Sequence, residues 1–295
     1  MRAVAQGLID GVLTGGVYAL MAAGLTLIFG VLDVINVAQA ILVVVGAYLS
    51  YTLSIHLGLD LFLGLLVTMP AMFLFGAVME WGLIRRLRGL HQGDFVVMAI
   101  LASYAVATIT EGVLDLVYGP NYVELQAPYV NRSYVLWGMH FPEIYVFGFL
   151  MALVLLSAFY AVLYRTRFGK MLRASVQNRT AARLIGINVD RVAFIVFGIG
   201  ISICAAGGMI FGATNAFNAN SGADLVSRLL TIIVLGGLGS IGGSLIAAIL
   251  MIALQNLVAV VWSPIWSSAV FSIVLISVMV IRPNGLFGRI GARAQ

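Results

Sequence analysis

Long apolar runs separated by short polar gaps set the pattern of this chain. Runs at 7–30, 61–80, 95–118, 144–164, 192–214 and 265–281 each reach the roughly 17–25 residues needed to cross a bilayer as a helix. Another span starts within the mixed stretch 30–40 and runs to about Tyr51 or Ser54. The apolar stretch 229–261 is interrupted by GGLGSIGGS at 236–244, which reads as a tight turn or a re-entrant hairpin between two short crossings. The pattern predicts an all-α, polytopic transmembrane bundle of eight or nine membrane segments. Residues 1–295 then form one transmembrane domain.

The polar gaps carry the rest of the information. Residues 165–191, RTRFGKMLRASVQNRTAARLIGINVDR, form the only long polar run. It holds seven basic residues against one acid, Asp190, so the orientation rule places it in the cytoplasm. Within it, Met171–Arg183 has the spacing of a short helix, with Leu172, Val176 and Leu184 on the apolar side, and Gly186 stops it. Such a helix at the cytoplasmic surface suits docking onto a soluble motor, although charge alone equally fits a plain topological anchor. A second polar group, Asp33, Asn36 and Gln39, recurs every third residue next to Gly30. On a helix these three share one face, and polar groups at membrane depth point to a cavity or a partner. A short cytoplasmic turn capped by Asp33 is the competing reading. Glu111 and Asp115 lie one helical turn apart near the end of a span, and Asp224 and Arg228 have the spacing of an ion pair. Gly7, Gly11 and Gly15 repeat every fourth residue, which allows close approach of another helix, from this chain or another.

Composition narrows the class. The 295 residues are 62% hydrophobic and 9% charged, against roughly 25% charged in soluble domains. The net charge of +5 is not spread over a nucleic-acid-binding face. Thirteen of the sixteen basic residues fall in 85–88, 165–191 and 282–293, the regions expected on the cytoplasmic side. Three spans precede the first of these, so the N-terminus is expected outside and the C-terminus in the cytoplasm. The longest outer loop is then 119–143, rich in Tyr with Trp137. The single cysteine, Cys204, sits in an apolar run and reads as core packing. His56, His91 and His140 match no metal spacing. No phosphate-loop motif or catalytic triad is readable. The chain has the pattern of a channel-forming subunit driven from elsewhere.

Several motifs in order resemble the permease subunits of bacterial branched-chain amino acid ABC importers: GGVYALMAAGLTLIFGVLDVINVAQA at 15–40, GAYLSY at 46–51, RTRFGKMLRASVQNRTAARLIGINVDRVAF at 165–194, TIIVLGGLGSIGGSLIAAIL at 231–250 and RPNGLFG at 282–288. Ala181-Ala182-x-x-x-Gly186 resembles that family's ATPase-contacting loop, with Thr180 in place of its usual acid. The resemblance implies a coupling loop at 165–191 in which Arg173, Arg179, Ala181, Ala182 and Gly186 dock an ATPase. It implies a second homologous permease, two cytoplasmic ATPase subunits that bind the ATP and Mg, and a periplasmic substrate-binding protein. No cofactor is expected in this chain, and the location implied is the bacterial inner membrane. Asn36 and Gln39 are the candidates for the translocation path. The family usually reads Phe-Ala-His-Gly after Ile35-Asn36, whereas this chain has Val37-Ala38-Gln39-Ala40. Related permeases for urea, short amides or aromatic acids therefore stand beside the branched-chain amino acid reading. Two rivals lie outside the family. One is an ATP-independent secondary transporter. The other is a membrane enzyme using Glu111, Asp115 or Asp224.

Overall fold

The computed structural model describes residues 2–136, 138–282 and 285–286. Trp137, Arg289 and Arg293, part of the interfacial and C-terminal expectations, lie outside them. Among the described residues, eight helices are long and apolar enough to cross a membrane. They are α1 (Arg2–Leu32), α2 (Gln39–Leu57), α3 (Leu61–Met79), α5 (Gln92–Tyr118), α6 (Glu143–Arg165), α9 (Val189–Thr214), α11 (Ile241–Val261) and α12 (Pro264–Ile281). The all-α polytopic expectation holds. α3 runs on through a π-turn (Glu80–Ile84) into α4 (Arg85–Leu87). Three shorter helices complete the set among the described residues: α7 (Arg167–Gln177), α8 (Arg179–Leu184) and α10 (Ser221–Gly236).

Two helices form the spine of the bundle. α1 and α9 are the most deeply buried spans, and the others pack round them. Small residues make this possible. Along α1, Gly7, Gly11 and Gly15 meet Val260, Ala253 and Ile249 of the antiparallel α11, so the glycine repeat serves packing within this chain. A Cβ on Gly11 would stand 2.6 Å from the Ala253 Cα. On α9, Gly208 lies directly against the Val43 carbonyl of α2.

These pairings fix which ends lie together. At one end sit α4, α7, α8 and the end of α1, and this basic end carries most of the arginines described. The opposite end holds the start of α1 and a β-hairpin, β1 (Ser133–Leu136) with β2 (Met139–Pro142), which the apolar pattern did not foretell. Gln6 joins the two, donating to the His140 carbonyl and accepting from its N–H at 2.9 Å. α2 extends to Leu57, beyond the expected Tyr51 or Ser54, because the first left-handed residue is Gly58 (φ 60°).

α10 differs from the rest. Its 16 residues reach about 24 Å, short of the roughly 30 Å hydrocarbon core. Its first turn lies beside Ile41 of α2, and its last carbonyls meet Leu286 near the basic end. The glycine-rich break is therefore a tight turn between α10 and α11, with left-handed glycines at Gly237 and Gly239.

Candidate functional site

The long polar run folds as two helices rather than one over Met171–Arg183. Asn178 is extended (φ −154°, ψ 107°) and divides them. Its side chain accepts from the Ala181 N–H at 2.9 Å, a helix cap that competes with continuation of α7. Thr166 and Asn188 cap α7 and α9 in the same way. Of the three apolar positions expected on one face, only Leu172 is buried. Val176 is exposed, and Leu184 more so at 83%. The break at Asn178 rotates α8, so Leu184 and Ile185 (74% exposed) project together from its end. Gly186 follows in the left-handed region (φ 85°), which ends the helix as expected, and a Cβ there would meet nothing.

The docking candidates separate into inward and outward groups. Ala181 and Gly186 are exposed, whereas Ala182 is buried. Arg173 packs over the Tyr164 ring, 4.8 Å from its centroid. Arg179 turns inward. It donates to the Val31 carbonyl at the end of α1 and lies 3.8 Å from the Asp33 carboxylate. Burial pulls its guanidinium down from the usual range, while the Asp33 charge pushes the other way. A guanidinium remains charged through any such shift at neutral pH.

A second arginine holds the same region from the other side. Arg88 bonds Glu80, which is fully buried at the π-turn, and reaches Asp190 at 2.7 Å in the first turn of α9. Arg183 of α8 stands 3.8 Å from the same Asp190. α8 is thus tied to the ends of α1, α3 and α9. Sequence reasoning did not single out Glu80; a lone acid at the end of an apolar span was the available sign.

Arg179 grips the start of a broken helix pair. Asp33 is the one non-glycine residue described with positive φ (55°), and it turns the chain out of α1. Residues 33–38 then climb back along the bundle before α2 begins. Asp33, Asn36 and Gln39 therefore do not share one helix face, because only Gln39 is helical. Gln39 donates to the Gly200 carbonyl (3.3 Å) and to Cys204 Sγ (2.6 Å), about 16–22 Å along α9 from Val189. Asn36 donates to Gln39 Oε1 at 3.1 Å, and Cys204 donates to the Met21 carbonyl. The Val37 N–H reaches Ser103 Oγ on α5. The start of α2 is thus held at mid-depth by polar bonds to α9 and α5, and Cys204 extends the network to α1. Asn36 lines a small crevice against Val226, Leu229 and Leu230 of α10, and its Oδ1 has no partner among the described residues.

α10 supplies a polar surface that the spacing misassigned. Among the described residues Asp224 and Arg228 form no ion pair. Arg228 instead donates to Gln255 of α11 at 3.2 Å and lies over the Phe271 ring. Asp224 stays exposed with Asn220 and Ser227 on one stripe of α10. Glu111 and Asp115 join no ion pair and no metal-type cluster among the described residues.

The comparisons agree with this architecture. Residues 7–279 match the family model described as branched-chain amino acid transport system / permease component. The high-affinity branched-chain amino acid transport system permease protein LivH of Salmonella typhimurium is 26% identical, over 96% of this chain and 95% of its own length. BraD of Pseudomonas aeruginosa, named likewise, is 25% identical over the same shares. A probable LivH of Methanocaldococcus jannaschii is 26% identical over 91% and 88%. The match over nearly all of the described helices makes this chain a multi-pass membrane protein of the branched-chain amino acid transport permease family.

Proposed function

We propose that this chain is the permease subunit of an ATP-driven importer in a bacterial inner membrane, with branched-chain amino acids as its substrates. The basic end faces the cytoplasm, the N-terminus lies in the periplasm and the C-terminus in the cytoplasm, following the arginine distribution. A second homologous permease, two cytoplasmic ATPases that bind ATP and Mg, and a periplasmic binding protein complete the assembly. The names of the relatives support the substrate class.

The observation that carries the reading is the projecting Leu184–Ile185 tip on a helix anchored by Arg179 and Arg183. Two large apolar side chains at the tip of a polar loop suit a hydrophobic groove on a soluble partner. A partner that moves the tip moves α8 as a unit, and Arg179 transmits that movement to the end of α1 and the 33–38 break. Asn36 and Gln39 at the start of α2, with the polar stripe of α10, form part of the path. A conformational change of this kind requires contacts that differ between two ATPase states, not tight substrate binding.

The test is purification of the tagged chain in mild detergent with identification of what accompanies it. Two ATPases and a second permease are expected with the wild type, and Leu184→Glu/Ile185→Glu should release the ATPases while the chain stays folded and inserted. Recovery of the chain alone, under conditions that keep a known importer complex intact, would overturn the assignment.

A further inference from the structure

A cavity of about 350 Å³ lies between α1, α6, α9, α10 and α11 toward the hairpin end. That volume sits at the lower end of the roughly 300–1,000 Å³ common to small-molecule sites. Its polar lining includes Asp10, Thr14, Asn215, Arg228, Gln255 and Asn256, and its apolar wall includes Val17, Met21, Ile210 and Ile252. Two opposite charges therefore share one pocket without forming an ion pair among the described residues.

Their heights coincide. Gly11 faces Ala253 and Gly15 faces Ile249, so in this antiparallel pair Asp10 is level with the turn of α11 that carries Gln255. Arg228 bonds that Gln255. The level is about 9 Å from the end of α11 at Val261. Among the described residues, Gln255 accepts from Arg228 and the Tyr18 hydroxyl lies beside it, which leaves most of the guanidinium's five N–H donors free for a ligand. An arginine this deep in a transmembrane bundle is costly unless it faces a water-filled cavity or an anion. Asp10 accepts both its hydrogen bonds from Gln6, at 3.0 and 3.2 Å, and Gln6 also holds His140 of the hairpin.

We propose that this cavity is a binding site, inside a single permease chain, for a small zwitterion: Arg228 takes the carboxylate, Asp10 the ammonium, and Val17, Met21, Ile210 and Ile252 an aliphatic side chain. The assignment rests on the importer reading for its biological meaning, and it distinguishes an amino acid from a neutral solute such as urea. The Gln6 link places Asp10, the partner of the ammonium, under the hairpin, where a delivering protein would press.

The test uses the full chain in phosphatidylcholine nanodiscs, with saturation-transfer NMR titration to read weak binding. The probes are L-leucine, 4-methylpentanoate (no ammonium), isoamylamine (no carboxylate) and urea. Leucine should bind about 10- to 100-fold tighter than either single-charge analogue, the range for one charged hydrogen-bonding contact, and urea should not bind. Arg228→Gln should lower leucine affinity to that of isoamylamine and leave isoamylamine unchanged. Asp10→Asn should do the same with respect to 4-methylpentanoate. Equal binding of the three charged probes, no binding of leucine, or an equal loss of every probe in Arg228→Gln would overturn the proposal. So would displacement by phosphatidylglycerol in the absence of any preference for leucine, which would assign Arg228 to a lipid headgroup. A chain that shows the selectivity yet purifies without ATPases would overturn the importer reading and leave this site standing.

Discussion

Arg88 offers a quantitative test because its two carboxylate partners differ in burial. The Glu80 side chain is 1% exposed, whereas that of Asp190 is 38% exposed. Replacing Arg88 by Met strands the Glu80 carboxylate inside the bundle, where loss of one partner of a buried pair costs about 3–5 kcal/mol. Asp190 can recover water, so Asp190→Asn removes an arm worth no more than about 1 kcal/mol. The decisive variant is Glu80→Leu/Arg88→Met. Replacing both charges by apolar side chains removes the desolvation cost as well as the attraction, and such exchanges are often neutral or stabilising. The measurement is denaturant unfolding of the purified chain in detergent, followed by tryptophan fluorescence. The expected order has Arg88→Met much the least stable, with Asp190→Asn and the double variant near wild type. A double variant as unstable as Arg88→Met would refute the reasoning, since the loss would then come from packing of the Arg88 stem and not from a stranded charge.

Gly208→Val should disrupt α9 against α2, because its Cβ meets the Val43 carbonyl and a backbone cannot rotate away; a cost at or above about 1–3 kcal/mol should appear as loss of folded protein on size-exclusion chromatography. Gly186→Ala, with open space around it but a left-handed backbone, should cost about 1–2 kcal/mol locally, whereas Gly186→Arg should also abolish ATP-coupled uptake while insertion into the membrane, read by protease accessibility, is unchanged. Gln39→Leu removes the bonds to Gly200 and Cys204 and leaves Asn36 Nδ2 without its acceptor; a destabilisation of about 1–3 kcal/mol in the same unfolding assay is expected, together with altered uptake.

The membrane spans were legible because twenty apolar residues in a row admit few other folds, and the arginine clusters marked which gaps belong together. The stop at Gly186 was equally legible, since a glycine after a short helix supplies the left-handed residue that others resist. Asn178 was harder. A single capping side chain split the expected Met171–Arg183 helix and turned Leu184 outward, and an asparagine between two helical stretches was the sign. The spacing of Asp224 and Arg228 suggested an intrahelical pair, but spacing within one helix says nothing of Gln255 and Phe271 on α11 and α12, which hold the arginine instead. The cavity at Asp10 draws on five helices far apart in the chain, so no local pattern could expose it. Gln255 and Asn256 in an otherwise apolar span were the only trace. At the 33–38 break the period-three spacing was real, but Asp33 in a left-handed turn removed the helix on which that spacing would have mattered.

The proposed transmission from the 165–191 loop to the 33–38 break runs through Arg179 and is tested most directly in the reconstituted complex. Uptake and ATP hydrolysis are measured side by side in proteoliposomes carrying Arg179→Ala. Loss of the bond to Val31 and of the Asp33 contact leaves α8 and its Leu184–Ile185 tip in place, so the ATPases should still bind and hydrolyse ATP while uptake per ATP falls at least about tenfold, the effect of roughly 1.4 kcal/mol. Unchanged uptake per ATP would contradict transmission through Arg179.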